Sequence, residues 1–407
     1  MTNRNRSDRR RHPPQVFLSH ARANRYDITQ FEMHLKTRGL RVWRDLPDLI
    51  RGEHNEAAVL AGIEQSDALL LWLTPECLQS KFIWRVEVPA AIQCYRANPN
   101  YSIIPVFWSE SVTTTRDFCR LHKYEDVTTF AGEVVLSGNA NQDPAQSAYA
   151  YVAYQCLRSL SARQRRRFRD RPFNLVLRTS PDDSLCEGMD LDVDWSALFE
   201  NPRGNPSIWD DLLLPALHDV RRVVGALTPS RRLHIRLQAR LSAAFAIGRM
   251  FPTVSRFALA IDGGHGIWKS NYARTTAKPL IVKRSAGSVH SDRAVVQLSI
   301  TRDLERSVSN YLTESQFPYG SRLSCSPFDG ISNTAVRSGI HALAMARQVG
   351  QEIKRLRDRD GVREVHLFAA LPAPLALLIG SQCNATIPMQ IYHSDPEQGF
   401  FRTCQIS

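Results

Sequence analysis

No two of the eight cysteines stand two to four residues apart; they fall at Cys77, Cys94, Cys119, Cys156, Cys186, Cys325, Cys383 and Cys404. That spacing offers neither a zinc ribbon nor a thioredoxin-type pair, so no metal site is expected and the set reads as reduced thiols. Long apolar runs are also missing. The best stretch, residues 367–380, falls short of the roughly 18 residues of a membrane span and carries Pro372 and Pro374. The arginine-rich opening lacks the apolar core of a secretory signal, so the expectation is a cytoplasmic protein with no membrane partner. Evenly spread positive charge is the third absence. The chain has 52 Lys+Arg against 40 Asp+Glu, a net +12, yet five Arg and one Asp lie in Met1–His12 and seven Arg and one Asp in Arg158–Arg171. A leader and a joint therefore hold most of the excess. Counterion release on DNA needs many cations on one folded surface, so DNA is not an expected partner.

At roughly 150 residues per domain, 407 residues ask for two or three domains, and 43% hydrophobic with 23% charged residues is an ordinary globular composition. Ahead of the joint the pattern alternates. Val16–Ser19 is a short apolar strand, Ile28, Phe31 and Leu35 fall at helical spacing, and Leu40, Val42 and Trp43 make a second strand. A helical stretch over 53–65 leads into Ala68–Leu73, apolar throughout as in a sheet covered on both faces; a helix over 82–97 and a strand at Ile103–Phe107 follow. Strand and helix in this alternation imply a parallel doubly wound α/β sheet, with ligands at the carboxyl ends of its strands.

Four segments in order, Val16-Phe17-Leu18-Ser19-His20, Arg41-Val42-Trp43-Arg44-Asp45, Ile63-Glu64-Gln65-Ser66-Asp67-Ala68 running into Leu69–Leu73, and Ser80–Glu87, resemble a TIR domain. The resemblance covers about residues 14–150 and implies a flavodoxin-like fold. It also implies one of two roles: an adaptor that only assembles, or an enzyme that cleaves NAD+ between nicotinamide and ribose with a glutamate on the helix after the third strand. By resemblance that glutamate is Glu87. The family pattern has a Trp four residues earlier; here Ile83 holds that place, between Phe82 and Trp84. Ser19, His20, Trp43, Asp45 and Trp84 are the expected NAD+ contacts, NAD+ being substrate and no cofactor being implied. For these residues core packing or loop capping is the competing reading.

Pro89 supplies a separate argument. Proline is tolerated in the first helical turn and not in the interior, so the regular helix is expected to begin near residue 86, with Glu87 at its positive end as an ionised carboxylate. Breaking the bond to nicotinamide leaves an oxocarbenium-like ribose and a neutral leaving group. One fixed carboxylate suffices for that charge.

The C-terminal half contains a repeat. Residues 233–249, LHIRLQARLSAAFAIGR, align without a gap on 365–381, VHLFAALPAPLALLIGS, matching His234 with His366, Ala244 with Ala376, Ile247 with Ile379 and Gly248 with Gly380. One inserted residue later Thr253 matches Thr386, and Gly266 with Trp268 matches Gly399 with Phe401. Each unit reads as strand, loop, apolar helix, strand and Gly/Asp loop. Two such Rossmann-like units would pair about a pseudo-twofold axis and share one cleft.

That duplication, with the run His366–Ala376, Ile379-Gly380 and Ile391-Tyr392, resembles a SAVED domain, a sensor related to the CARF proteins that recognise cyclic oligonucleotides. The resemblance implies a cyclic-oligonucleotide activator, an adenine-containing trinucleotide being favoured. Helix N-termini, a few cations and flat side chains would serve phosphates and bases. The expected contacts are Thr301, Arg302, Leu371, Pro372, Trp268, Lys269, Phe400 and Phe401, with Arg178 and Thr179 as a further pair; His234 and His366 read as structural. The expected division is a disordered basic leader at 1–13, a TIR domain at 14–157, a basic linker at 158–171, and a SAVED domain at 172–407 with halves 172–290 and 291–407.

Together the two resemblances imply an effector of CBASS anti-phage defence, in which a cyclic oligonucleotide switches on a TIR NAD+ glycohydrolase. Self-association of the family's enzymes implies head-to-tail assembly through the loop at 45–54. The alternative is a non-enzymatic adaptor.

Overall fold

The computed structural model describes residues 12–44, 56–130, 144–163, 168, 170–200, 207–264, 266–272, 278–287, 289–383, 387–395 and 399–406. Asp45, the loop at 45–54 and most of the expected leader lie outside the described residues. Two compact units are formed: Met1–Arg169 with Cys186–Val193, and Asp170–Leu185 with Asp194–Ser407.

In the first unit, strands β1 (Gln15–Ser19), β2 (Arg41–Trp43), β3 (Ala68–Leu73) and β4 (Ser102–Phe107) form a parallel sheet of order β2-β1-β3-β4. All six β3 residues are fully buried because the sheet is covered on both faces. Leu69, Leu71 and Leu73 join Phe17 in a core closed by Val59 and Ile63 of α2 (Glu56–Gln65) and by Ala91 and Ile92 further along the chain. On the other face Trp72 meets Phe31 of α1 (Arg25–Lys36) and Tyr149.

The helix after β3 departs from expectation. A short helix α3 (Pro75–Gln79), capped by Thr74, is followed by helical residues from Lys81, a π turn over Ile83–Glu87, and then α4 (Val88–Ala97). The start near residue 86 is thus corrected to Lys81. Pro89 is accommodated differently: lacking an N–H and crowding the carbonyl four residues back, it sits just after a turn widened to the five-residue Val88 N–H to Ile83 C=O bond. The chain repeats the device at Trp209–Leu213, where a π turn precedes Pro215 of the following helix. The unit continues with α5 (Val112–His122) and α6 (Pro144–Ala162). Because α6 runs to Ala162, the expected boundary at 157 falls inside a helix.

Beyond the joint lie two sheets. The first has order β6-β5-β7-β8-β9, with β5 (Phe173–Arg178), β6 (Leu191–Asp194), β7 (Arg232–Gln238), β8 (Ala258–Gly263) and β9 (Gly266–Lys269). The second has order β10-β12-β11-β13-β14-β15, with β10 (Leu280–Ala286), β11 (Arg293–Ser299), β12 (Ser321–Pro327), β13 (Glu364–Ala370), β14 (Met389–Asp395) and β15 (Gly399–Ile406). Strand β10 pairs antiparallel with β12, so the second half begins near Leu280, ahead of the expected 291. Helices α7 (Leu214–Leu227) and α8 (Leu241–Met250) belong to the first half; α9 (Glu305–Glu314), α10 (Gly339–Asp360) and α11 (Ala373–Gln382) belong to the second.

The repeat is structural. Strand β7 starts at 232 and β13 at 364, helix α8 at 241 and α11 at 373, and each pair has equal length, so one offset relates both. In each half the strand pairs parallel with the next, which turns back antiparallel into β9 or β15. The two helices meet at their repeated glycines. A methyl on Gly248 would overlap the carbonyl oxygen of Leu377 and lie 2.9 Å from its carbonyl carbon; one on Gly380 would overlap the carbonyl oxygen of Phe245 and lie 3.1 Å from Arg249 N. Phe245 and Leu377 are themselves repeat partners, so the contacts are reciprocal, as a twofold relation requires.

Candidate functional site

Ser19 closes β1, the inner strand between β2 and β3, and its side chain shares the sheet face of Phe17. On that face stands the π turn, and the Ser19 hydroxyl donates to Glu87 Oε2. The two expected site residues, 68 positions apart, are thus brought into contact at the carboxyl end of the sheet. Both are buried, Ser19 at 1% and Glu87 at 6% exposure. The carboxylate's charge is felt nearby: burial pushes the Cys77 thiol up, and Glu87 adds to the shift.

The rationale from the helix N-terminus belongs to a different glutamate. Glu87 ends a π turn in mid-helix, whereas Glu76 occupies the first turn of α3. Glu76 is held below the usual carboxylate range by its own backbone N–H, then by Thr74 and Asn24. It is exposed, whereas Glu87 faces the end of β1.

The other expected NAD+ contacts divide. His20 follows Ser19 and is half-buried, its Nδ1 3.2 Å from the Leu18 carbonyl. Trp43 is half-buried, stacked on Phe17 at 4.6 Å and seated over Gly62, where a Cβ would lie 2.5 Å from the indole. Its ring serves the core. Trp84 is corrected outright: it is 1% exposed, donates from Nε1 to the Cys77 carbonyl at 3.0 Å and packs on Phe118 and Tyr124, leaving no face for a nucleotide. Asp45 lies outside the described residues.

In the duplicated part, Pro372 is the N-cap of α11, with Leu371 buried behind it. The Ile300 and Thr301 N–H groups donate to the Ala370 carbonyl at 3.0 and 2.9 Å, and Arg302, exposed, donates to Ser394 Oγ at 3.0 Å. The first half repeats the crossing: the Thr179 N–H donates to the Gln238 carbonyl at 2.9 Å. Arg178 is buried and paired with Asp194 at 3.1 Å. Phe401 is half-buried beside His393 at 5.2 Å, and Lys269 is exposed.

Two expected stacking platforms are corrected. Trp268 is 4% exposed and lies beneath Gly263, whose added Cβ would come within 2.6 Å of the indole. Phe400 is 7% exposed, in a cluster with Tyr311, Phe368 and Tyr392. Both lie in strands, where alternate residues face opposite ways. The histidines keep structural partners: His234 Nε2 meets Asp262 at 2.6 Å, and His366 Nδ1 meets the Tyr392 hydroxyl at 3.0 Å.

One feature of the seam between the halves was missed from sequence. Arg240, the residue before α8, lies near His393 and Asp395 of β14. Burial lowers the His393 pKa, Arg240 lowers it further, and Asp395 opposes the shift. Arg240 also donates to the Phe199 carbonyl at 2.8 Å. In the first turn of α8 the Ser242 hydroxyl is buried with no hydrogen-bond partner. The signal was present: Arg240 is the repeat partner of Pro372. Among the described residues no group of three His, Cys, Asp or Glu is placed to hold a metal, and no helix is long and apolar enough to cross a membrane.

The TIR domain family model matches residues 16–133, and the SAVED model, "SMODS-associated and fused to various effectors sensor domain", matches 216–406. The chain therefore joins a TIR domain to a SAVED domain, an architecture of CBASS type. Its similarity to CD-NTase-associated protein 4 of Enterobacter hormaechei subsp. hoffmannii (strain UCI 50) is 28% identity over 193 residues, 46% of this chain and 38% of that protein. The chain thus spans little more than a third of that relative's length. The Acinetobacter baumannii Cap4 SAVED/CARF-domain containing receptor with the cyclic trinucleotide 3'3'3'-cAAA matches with a TM-score of 0.50 at 12% identity, over 89% of this chain and 99% of that one. The same receptor with 2'3'3'-cAAA gives 0.50 at 14% over the same shares. At these identities the likeness speaks for the fold.

Proposed function

We propose that the protein is a cyclic-oligonucleotide-activated NAD+ glycohydrolase of anti-phage defence. The observation that carries this reading is the buried contact of Ser19 with Glu87 at the carboxyl end of the TIR sheet. A carboxylate held there can stabilise the positive charge that develops on the ribose as the bond to nicotinamide breaks. The bonding pair leaves with nicotinamide, which departs neutral. Water adds to the ribose carbon and loses a proton, giving ADP-ribose; closure by a group of the same molecule gives the cyclic product. The SAVED domain takes the activator, for which an adenine-containing cyclic trinucleotide is the first choice, given the cAAA rings carried by the similar Cap4 receptors. Activation proceeds by head-to-tail self-association in the cytoplasm, with no cofactor, metal, DNA or membrane.

The adaptor reading has one observation in its favour. Glu87 is 6% exposed, so a ribose reaches it only after the groups that cover it move. Incubating the full chain with NAD+ and cyclic di-, tri- and tetranucleotides, and measuring nicotinamide, decides between the two. The expected outcome is release with one ring size and a loss of about 100-fold or more in Glu87→Gln. Full release from that variant removes Glu87 from the chemistry; none from wild type with any ring leaves the adaptor. Light scattering that stays flat on adding an activating ring counts against assembly.

A further inference from the structure

We infer that the reciprocal contact of Gly248 and Gly380 is a spacer that sets which ring size the SAVED domain accepts. The inference rests on the proposed cyclic-oligonucleotide reading. Gly248 lies against the backbone of Leu377 and Gly380 against that of Phe245, with no side chain between. Backbone meeting backbone has little play, because a helix carbonyl cannot rotate aside as a side-chain tip can. The separation of α8 and α11 is therefore set by the missing methyl groups.

These helices carry the seam with them. The first turn of α8 meets the other half where Cys404 Sγ of β15 lies 3.9 Å from the Ser242 carbonyl oxygen, Arg240 just before it acts electrostatically on His393 and Asp395, and Pro372 caps α11 at the equivalent point. Groups of both halves that would grip a ring are thus mounted on two bodies joined through the glycine contact. A methyl at Gly248 would lie 2.9 Å from the Leu377 carbonyl carbon, whereas carbon–carbon contacts relax to ~3.5–4.0 Å, so one alanine parts the helices by about 1 Å. That shift changes the width between the two gripping surfaces while leaving the chemical identity of every gripping side chain unchanged. Ring size changes the same width.

The experiment measures the affinity of the full chain for cyclic tri- and tetra-adenylate by titration calorimetry, in wild type, Gly248→Ala and Gly380→Ala. Gly225→Ala is the control: it lies on α7, where an added Cβ meets nothing within 4 Å. The expected result is a change of at least 10-fold in the ratio of the two affinities in each seam variant, toward the larger ring, and none in the control. Ratios that stay within twofold of wild type overturn the inference. A wild type that binds neither ring overturns the ligand reading itself, a separate failure. Should neither seam variant fold, hydrogen exchange on wild type still tests the idea. A preset spacer leaves the amides of 241–250 and 373–382 gaining no more protection on binding than the rest of the SAVED core, since any ligand of the folded state slows exchange through global opening; a gain at these helices more than 10-fold above that of the core shows that the ring closes the seam, and refutes it.

Discussion

Removing the Ser19 hydroxyl tests the candidate site independently of any substrate. Ser19 and Glu87 are 1% and 6% exposed, so in Ser19→Ala water cannot replace the donor that the carboxylate loses. A hydrogen bond to a charged group contributes about 1.5–3 kcal/mol, and the cost of leaving the acceptor unsatisfied is of that size or more. In a domain of this size, with roughly 2–4 °C per kcal/mol, the expected loss is about 4–10 °C in the melting temperature of the TIR transition. Other effects of truncation are separated by a double-mutant cycle. Glu87→Gln keeps the volume and one acceptor oxygen but removes the charge, so the double variant reports what the pair contributes beyond the two singles. Calorimetry of the full chain and the three variants should give a coupling of about 1–2 kcal/mol, most of it from the charge. Coupling below about 0.5 kcal/mol would mean that the hydroxyl and carboxylate do not hold one another in solution, and the site argument would fall with it.

Two further outcomes follow from packing and charge. His34, buried on α1, is held neutral, its pKa lowered to about 4 mainly by burial, with Gln146 Oε1 2.6 Å from Nε2 and the Arg38 guanidinium 3.3 Å from Nδ1. Because the folded value lies below the ordinary 6.5, the unfolded chain binds the extra proton first; stability should fall as pH drops from about 6.5 to 4 and level off below, with a flatter profile in His34→Gln by denaturant titration. Gly62→Ala places a methyl 2.5 Å from the Trp43 indole and should cost about 1–3 kcal/mol with a red-shifted tryptophan emission; an unchanged midpoint and spectrum would show that Trp43 is free to leave the core.

What the sequence revealed, and what it hid, follows from which physical signals are local. Strand β3 was legible because six consecutive apolar residues with turn signals on both sides admit little else, and its complete burial agrees. That Ser19 and Glu87 belong to one site followed from sheet topology combined with a family pattern, neither of which is a property of the residues alone; their direct hydrogen bond is seen only in the structure. Phe400 and Trp268, expected as stacking platforms, lie in strands β15 and β9. Once they lie in strands, alternation decides which of two neighbouring residues points inward, and Phe400 turns in where Phe401 turns toward His393. Edge strand β10 was invisible for the opposite reason: only Leu280 in it is buried, and Lys283 and Arg284 occupy its middle. Pro89 signalled a helix start by the usual rule, but a π turn satisfied the same steric demand in mid-helix, and no sequence spacing distinguishes the two solutions.

The duplicated part shows two kinds of symmetry that have come apart. Where backbone presses on backbone the halves still match: Gly248 on Leu377 repeats as Gly380 on Phe245, and the flanking strands and helices keep a common offset. Where side chains are free to differ the halves do not match. Arg240 stands at the repeat position of Pro372 and Ser242 at that of Pro374. A twofold scaffold is thus kept by its backbone contacts while its two faces have diverged in their side chains.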